Sequence, residues 1–253
     1  MAVIRHPSVS GIFYESDRSG LSFSIDGFLK GSKSGENIGV ISPHAGYVYS
    51  GRTAAAAINS LKGAKSFIIL GPNHTGIGHS FSLMGRGVWK TPLGEVEIDE
   101  EIASYLTGTG IVEDDMSAHI NEHSIEVQIP FLQEKFCDFK IVPISILNIG
   151  YSENLIDRCI SLGKEIAKIS REKGINIIAS SDFSHYISLE MADEKDGRAV
   201  EKILSLDIRG FFSVLEETDA SVCGYGPIAV LMSVAKETGL KEIEIINESS
   251  SGD

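Results

Sequence analysis

The sequence has little positive charge and no long apolar run, and these shortages exclude several classes of protein. Its 22 lysines and arginines are outnumbered by 35 aspartates and glutamates, which gives a formal net charge of -13. No basic block interrupts this acidity, so we expect no binding to nucleic acid, whose phosphates attract positive side chains. No apolar run approaches the ~18 residues of a membrane span, so we expect no membrane insertion.

Cysteine is also scarce, with only Cys137, Cys159 and Cys223 in the chain. Three widely spaced cysteines do not indicate a disulfide framework. Cys137 and Cys159 lie among apolar residues, where we expect buried and unreactive thiols. The opening stretch MAVIRHPSVSGIFY has no hydrophobic region of the kind found in signal peptides. Together these features favour a cytoplasmic protein.

Several motifs of well-known enzymes are missing as well. The glycine-rich stretch GPNHTGIG (71–78) is not followed by the Gly-Lys-Ser/Thr of a phosphate-binding P-loop. No G-x-S-x-G elbow of a serine hydrolase is present. No Cys-x₃-Cys-x₂-Cys cluster motif is present either, so the chain is not itself a radical-SAM enzyme.

The sequence does contain a regular alternation of apolar strands with helices. The patterns predict strands over 37–42, 65–70, 139–147, 175–181 and 241–247, and helices over 52–61, 97–108, 121–136, 152–174, 189–206, 208–217 and 221–239. Such alternation is typical of βαβ units and a mostly parallel sheet. Because no stretch resembles a linker, we expect one α/β domain over residues 1–253.

Three of the predicted strands end in polar tails that carry metal-ligating side chains. His44 follows the first in GVISPHAGY, and His74 follows the second in FIILGPNHTG. Asp182 and His185 follow a third in IIASSDFSHY. The carboxyl ends of parallel strands share one edge of a sheet, where ligands bind, and histidine is a common ligand of transition metals. The repetition favours a shared site at this edge.

Each of these residues also has a structural interpretation that the sequence leaves open. His44 and His74 could each serve only to hydrogen-bond a turn after a strand. Asp182 could cap a helix, with His185 as a surface neighbour. What favours a common site is that the same type of tail occurs three times.

Two further residues have two open interpretations each. Cys223, in VCGYGP before an apolar helix, fits either a small buried side chain or a thiol whose pKa the helix start lowers in favour of metal ligation. His123, in NEHSIE, fits either an acid or base at the same edge or a capping or core residue. For the other histidines, at positions 6, 79 and 119, we expect surface or structural roles.

Five motifs in this order resemble those of the Memo family. They are PHAGY (43–47), GPNH (71–74), EHSIEVQIPFL (122–132), SSDFSHY (180–186) and CGYGPI (223–228). SVSGIFY near the N-terminus resembles the family's opening, so the similarity covers nearly the whole chain. The family is similar in fold to the class III extradiol ring-cleavage dioxygenases, which implies a three-layer α/β/α sandwich. It also resembles component B of the AmmeMemoRadiSam group, named for AMMECR and radical-SAM partners.

The resemblance implies a metal pocket of two histidines and a cysteine, which correspond here to His44, His74 and Cys223. In the related dioxygenases two histidines and a glutamate hold Fe(II). A thiolate is a softer ligand than a carboxylate and suits Cu(I), Zn(II) or a thiolate-ligated Fe(II), so the fold alone does not imply ring cleavage. The expected cofactor is iron or copper, with zinc as a further option.

Two functions follow from the resemblance. The first is a metal-dependent redox or oxygen-linked enzyme of unknown small-molecule substrate, in which acid–base groups line the pocket (His185, Asp182, His123) and a tyrosine orients substrate (Tyr47 or Tyr186). The second is a metal- or ligand-binding protein without turnover, acting with a radical-SAM or AMMECR-type partner. The sequence ends at NESSSGD, where family members continue toward a last strand. It is either truncated or naturally short, and the strand at the far edge of the sheet is therefore undecided.

Overall fold

The computed structural model describes residues 3–185, 187–240 and 242–249, and a nine-stranded sheet forms its centre. The strands are β1 (Ile4–Arg5), β2 (Gly39–Ser42), β3 (Ser66–Asn73), β4 (Phe81–Leu83), β5 (Val88–Thr91), β6 (Gly94–Ile98), β7 (Glu113–Asp114), β8 (Lys140–Leu147) and β9 (Asn176–Ser180). Seven form the path β1-β5-β6-β8-β3-β9-β2, while β4 pairs with β8 and β7. The β5–β6 and β4–β8 pairs are antiparallel, and the other described pairs are parallel.

Helices cover both faces of the sheet and complete a three-layer α/β/α sandwich. One layer contains α1 (Arg18–Leu29), α2 (Tyr47–Ser60) and α4 (Ile129–Lys135). The other contains α3 (Glu100–Gly108), α5 (Glu153–Lys173), α6 (Leu189–Leu204), α7 (Ile208–Thr218) and α8 (Tyr225–Thr238). None of the helices in the described ranges has the length and apolar character that a membrane span requires. The predicted fold class is confirmed.

The central strands are apolar because helices cover both of their faces. All eight residues of β3 and all five of β9 are buried, as is usual in parallel sheets. β9 lies between β2 and β3, and the three strands run in the same direction. Their carboxyl ends therefore meet at one edge, which is where the sequence predicts the polar tails to converge.

The predicted helix over 121–136 is wrong in its first half. The α-helix α4 begins only at Ile129, after a short 3-10 turn at Glu126–Gln128. Pro130 occupies the first turn of α4, where its missing N–H costs nothing, instead of kinking the helix. Residues 121–125 form a turn because the side chain of Glu122 takes up backbone N–H groups, as described below.

Two other predicted elements also differ from the structure. The predicted helix over 97–108 is split, since Ile98 ends β6 and the side chain of Asp99 caps α3 by accepting the N–H of Ile102. The strand predicted over 241–247 is absent from the described residues 242–249. There the amide of Asn247 donates to the hydroxyl of Thr53 on α2 at 3.1 Å, so side-chain contacts hold a segment that no neighbouring strand pairs with.

The two cysteines predicted to be buried differ in their surroundings. Cys159 is buried within α5, as predicted. Cys137 is exposed, because it lies in the bend that follows α4 and not on a packed helix face. An apolar sequence neighbourhood did not distinguish the two positions.

Candidate metal centre

Three distant segments bring ligating side chains together at the carboxyl edge of the sheet. His44 lies two residues beyond β2, His74 directly follows β3, and Cys223 lies two residues before α8. One ligating atom from each residue lies within 4.8 Å of the others. Such convergence of two imidazoles and a thiol is what a shared metal site requires.

His44 is buried and is held by hydrogen bonds at both its backbone and its ring. Its backbone N–H donates to Oδ1 of Asp182 at 2.7 Å, and its Nδ1 lies 2.9 Å from Oγ of Ser180. The Ser180 hydroxyl donates its own proton to the carbonyl of Ser124 at 2.7 Å, so it accepts from His44. The neutral ring therefore carries its proton on Nδ1, and the lone pair of Nε2 is left for the pocket.

Gln128, which is fully buried, fixes the turn that carries His44. Its side-chain nitrogen donates to Oγ of Ser180 at 3.0 Å and to the carbonyl of Pro43 at 2.8 Å. Its side-chain oxygen accepts from the hydroxyl of Ser42 at 2.7 Å. The side-chain amide of Gln128 thereby links the end of β2 to the end of β9 by hydrogen bonds.

Cys223 faces His44, with Sγ only 3.1 Å from Nε2. The backbone N–H of Asp182 donates to Sγ at 3.2 Å, and the N–H of Cys223 donates to the carbonyl of Asp182 at 3.3 Å. Gly224 permits this approach, because a Cβ there would lie 2.4 Å from the carbonyl oxygen of Ser180. A pair of backbone contacts thus anchors the thiol beside the end of β9.

The electrostatics of this pair differ from the prediction. Burial raises the pKa of the Cys223 thiol to about 12 and lowers the pKa of His44 to about 4. The expected lowering by the helix does not occur, since Cys223 lies outside the first turn of α8 and is largely desolvated. In the absence of a cation, a neutral thiol donates to a neutral imidazole.

Glu122 is part of this site, although the sequence analysis did not single it out. Its carboxylate is buried; Oε1 lies 2.9 Å from Nδ1 of His74, and Oε2 accepts the backbone N–H of His74 at 2.6 Å. Burial alone would raise the pKa of Glu122, but hydrogen bonds from His74 and from backbone N–H groups outweigh it and lower the pKa to about 2. The available signal was its place in the motif EHSIEVQIPFL, directly before His123.

His123 lines the same pocket. Its ring stacks on the ring of His74 with centroids 4.8 Å apart and lies 5.5 Å from the ring of His44. The ring of Phe13 packs against its other side at 4.8 Å. Burial lowers the pKa of His123, so its imidazole is neutral near pH 7 and able to accept a proton.

Asp182 and His185 also lie at the pocket, within ion-pair distance of each other. Oδ2 of Asp182 is 3.9 Å from Nε2 of His185 and 3.9 Å from Nε2 of His44, which exceeds hydrogen-bond length. Asp182 instead holds the His44 backbone. The ring of His185 is exposed, and its backbone N–H donates to Oγ of Ser221 at 2.9 Å. Asp182, His185 and Cys223 form a second group of ligating atoms within 4.8 Å of one another.

The two tyrosines predicted to orient substrate have different outcomes. Tyr47 is buried, and its hydroxyl donates to the carbonyl of Val127 at 2.7 Å. Its ring packs on Phe131 with centroids 4.6 Å apart. These contacts assign Tyr47 to the core and not to the pocket surface. Tyr186 lies outside the described residues.

The remaining histidines lie away from the ligand cluster. His6 and His79 are exposed. His119 is buried, and its ring packs edge-on against Trp89 at 5.8 Å. These placements agree with the surface or structural roles that the sequence predicts.

Comparison with known proteins shows to which family the chain belongs. A family model described as "Memo-like protein" matches residues 5–253. The chain belongs to the Memo-like family. It is 43% identical over 266 residues to a MEMO1 family protein from Pyrobaculum aerophilum, covering 99% of this chain and 93% of that relative. It is 42% identical over 255 residues to one from Methanococcoides burtonii, with 99% and 94% covered.

The similarity to these relatives extends over nearly the whole chain in each case. A third relative, the MEMO1 family protein from Methanothermobacter thermautotrophicus, is 38% identical over 267 residues, with 99% of this chain and 95% of the relative covered. Because each match covers 99% of this chain, it includes the segments that carry His44, His74 and Cys223. The resemblance predicted from five motifs is therefore confirmed at the level of the family.

Proposed function

We propose that His44, His74 and Cys223 form a transition-metal centre and that the protein is a redox or oxygen-linked enzyme acting on a small molecule. The observation that supports this most is the placement of two imidazoles and one thiol within 4.8 Å of one another at the carboxyl edge of a parallel sheet. Imidazole and thiolate are ligands of iron, copper and zinc. Because zinc has no redox chemistry, iron or copper is the cofactor we propose.

The donor set fits such an ion in number as well as in type. Catalytic metal sites commonly use three protein ligands and leave further positions for substrate. The lone pair of Nε2 of His44 is directed at Sγ of Cys223, so a cation held by both residues would take the place of the thiol proton. A bound iron or copper ion would supply Lewis-acid and electron-transfer chemistry.

Two carboxylates give the pocket the charge that a cation requires. Asp182 holds the backbone of His44, and Glu122 holds His74. Together with a Cys223 thiolate they concentrate negative charge around the ligands, in a chain that is already acidic. The protein field thus favours a divalent ion over a neutral occupant.

Proton transfer falls to the histidines that are not ligands. His123 has a neutral ring beside the ring of His74, and a neutral imidazole accepts a proton from a bound hydroxyl. His185 is exposed, so its ring exchanges protons with solvent. Asp182 places a carboxylate 3.9 Å from its Nε2, within ion-pair distance.

The test is the metal content of protein purified without oxygen and reconstituted with iron or copper. We expect about one ion per chain in the wild type and loss of that ion in His44→Ala, His74→Ala and Cys223→Ser. His79→Ala is the matched control, because His79 is an exposed histidine on the same loop as His74. Retention of the ion by all three ligand variants would contradict the proposed centre.

Oxygen consumption with catechols and other diols distinguishes an enzyme from the second candidate, a metal- or ligand-binding protein without turnover. A protein that binds the ion through these ligands but consumes no oxygen with any substrate supports a metal- or ligand-binding role without turnover.

We also propose a cytoplasmic location, because the three cysteines are free thiols and a reducing compartment protects them. A radical-SAM or AMMECR-type partner is a further proposal, tested by co-purification.

A further inference from the structure

We infer that Glu122 is a positioning residue of the centre: it fixes the imidazole proton of His74 on Nδ1 and so keeps the lone pair of Nε2 toward the pocket. This inference deepens the proposed function and rests on it for its purpose. The hydrogen bonds that support it do not depend on the metal.

The contacts of Glu122 leave one arrangement of protons. Its Oε1 lies 2.9 Å from Nδ1 of His74 and accepts the backbone N–H groups of His123 and Ser124 at 2.9 Å each. Its Oε2 accepts the backbone N–H of His74 at 2.6 Å. Three backbone donors already point at the carboxyl group, and an ionised carboxylate is an acceptor only. Nδ1 of His74 is therefore the donor in its bond to Oε1.

The main chain of Glu122 is held in place by Arg5, from the N-terminal end of the chain. The buried guanidinium of Arg5 donates through Nη2 to the main-chain carbonyl of Glu122 at 2.6 Å and through Nε to the carbonyl of His119 at 3.0 Å. Arg5 also pairs with the buried carboxylate of Glu126. Arg5 thus holds the main chain at residues 119 and 122 and the side chain of Glu126, on both sides of the turn that carries Glu122.

The two predicted histidine ligands carry the ring proton on the same nitrogen, Nδ1, although different groups accept it. Ser180 accepts from Nδ1 of His44 because its own proton goes to Ser124, and Glu122 accepts from Nδ1 of His74 because it has no proton to give. In both rings Nε2 is then the nitrogen with the lone pair. Metal-binding histidines are generally oriented by such a bond from the other ring nitrogen.

A glutamine at position 122 would break this pattern in a defined way. If its amide nitrogen replaces Oε2, it faces the N–H of His74 and loses that bond. If it replaces Oε1, it faces three N–H donors, and the only relief at the ring is to move the proton of His74 from Nδ1 to Nε2. The second outcome places a proton on the nitrogen that should bind the metal.

Long-range ¹H–¹⁵N spectra of the histidine rings in metal-free protein test the inference directly, because they distinguish the two neutral tautomers. For the wild type at pH 8 we expect the Nδ1–H form at His74 as well as at His44. For Glu122→Gln we expect a fall of 10- to 100-fold in Co(II) affinity, read from the thiolate-to-cobalt absorption band. Where the amide nitrogen takes the place of Oε1, a shift of His74 toward the Nε2–H form accompanies this fall; where it takes the place of Oε2, the side-chain oxygen still accepts from Nδ1 and the tautomer is kept. Co(II) serves here as the spectroscopic probe.

Glu15→Gln is the control, since Glu15 is partly buried but its carboxylate accepts from the hydroxyl of Ser24 on α1 and not from His74 or Arg5; it should keep the wild-type Co(II) affinity. It should leave the His74 tautomer unchanged even if it lowers stability. An Nε2–H form at His74 in the wild type, or a Glu122→Gln protein with unaltered tautomer and Co(II) affinity, would overturn the inference. If Glu122→Gln does not fold, the wild-type spectrum still decides it. Absence of Co(II) binding in the wild type would contradict the proposed function while leaving the tautomer result readable.

Discussion

Sγ of Cys223 and Nε2 of His44 lie 3.1 Å apart, although 179 positions separate the two residues in the chain. The strand order explains this contact. β9 lies between β2 and β3, so the residues that follow β9 are next to the residues that follow β2 and carry His44. Asp182, which follows β9, bonds to both His44 and Cys223. A parallel sheet thereby places side chains from both ends of the chain at one point.

The first prediction concerns the reactivity of the thiols in metal-free protein. Cys137 is exposed, whereas burial raises the pKa of Cys223 to about 12, and only the thiolate reacts rapidly with alkylating agents. We expect iodoacetamide at pH 8 to modify Cys137 at least tenfold faster than Cys223, as measured by peptide mass spectrometry over time. Equal rates would show that Cys223 is neither shielded nor protonated as described.

The second prediction concerns the pH dependence of metal binding. The Cys223 thiol is protonated at neutral pH, so binding as a thiolate must release its proton. His44, whose pKa is lowered to about 4, is already neutral and adds no proton above about pH 5. Affinity should therefore rise with pH, by about tenfold per unit for each proton released.

Calorimetry in buffers of different ionisation enthalpy measures this release directly. We expect about one proton fewer to be released by Cys223→Ser than by the wild type, provided that residual binding is measurable with excess metal. An affinity that does not change between pH 6 and pH 8 would contradict ligation by the thiolate.

The site was only partly predictable from the sequence, and the reason differs between residues. His44, His74 and Asp182 could be found because polar side chains after apolar strands are conspicuous, and Cys223 because a cysteine before an apolar helix fits metal ligation. Glu122 could not, because its role depends on backbone N–H groups that only the turn at 121–125 brings together.

The errors in the predicted secondary structure have a similar cause, because sequence periodicity does not show which backbone groups a side chain will bond. Ile125, Ile129 and Leu132 have helical spacing within 121–136. The carboxylate of Glu122 nevertheless accepts the N–H groups of residues 123 and 124, which a helix starting at 121 would include. The parallel core was predictable because its strands are apolar on both faces. The predicted strand over 241–247 lacks a partner in the described residues, and periodicity alone does not supply one.

The third prediction concerns stability in acid. The pKa of Glu122 is lowered from its ordinary value near 4.5 to about 2 in the folded protein. Its contribution is therefore complete above about pH 4.5 and is lost as the pH falls toward 2, which amounts to roughly 3 kcal/mol of unfolding free energy. Urea unfolding at pH 7 and pH 3 should show a smaller loss for Glu122→Gln than for the wild type.

The exposed residue Glu97 offers the control for this measurement. Glu97→Gln should follow the wild-type dependence on pH, because the exposed ion pair of Glu97 with Lys140 contributes little to stability. If Glu122→Gln lost as much stability as the wild type between pH 7 and pH 3, the hydrogen bonds to its carboxylate would not stabilise the ionised form.

The last prediction tests the close approach that positions Cys223. A Cβ at residue 224 would lie 2.4 Å from both the carbonyl oxygen of Ser180 and Cβ of Ser181, so Gly224→Ala must push the start of α8 away from β9. We expect a loss of about 1–3 kcal/mol in unfolding free energy together with loss of the bound metal, since Sγ of Cys223 moves with the backbone. Gly197→Ala is the control, because Gly197 lies within α6 with no atom within 4 Å of the added methyl group. That variant should gain up to about 1 kcal/mol from helix propensity and keep its metal. A Gly224→Ala protein as stable and as metal-rich as Gly197→Ala would mean that the contact between β9 and the start of α8 does not set the position of the thiol.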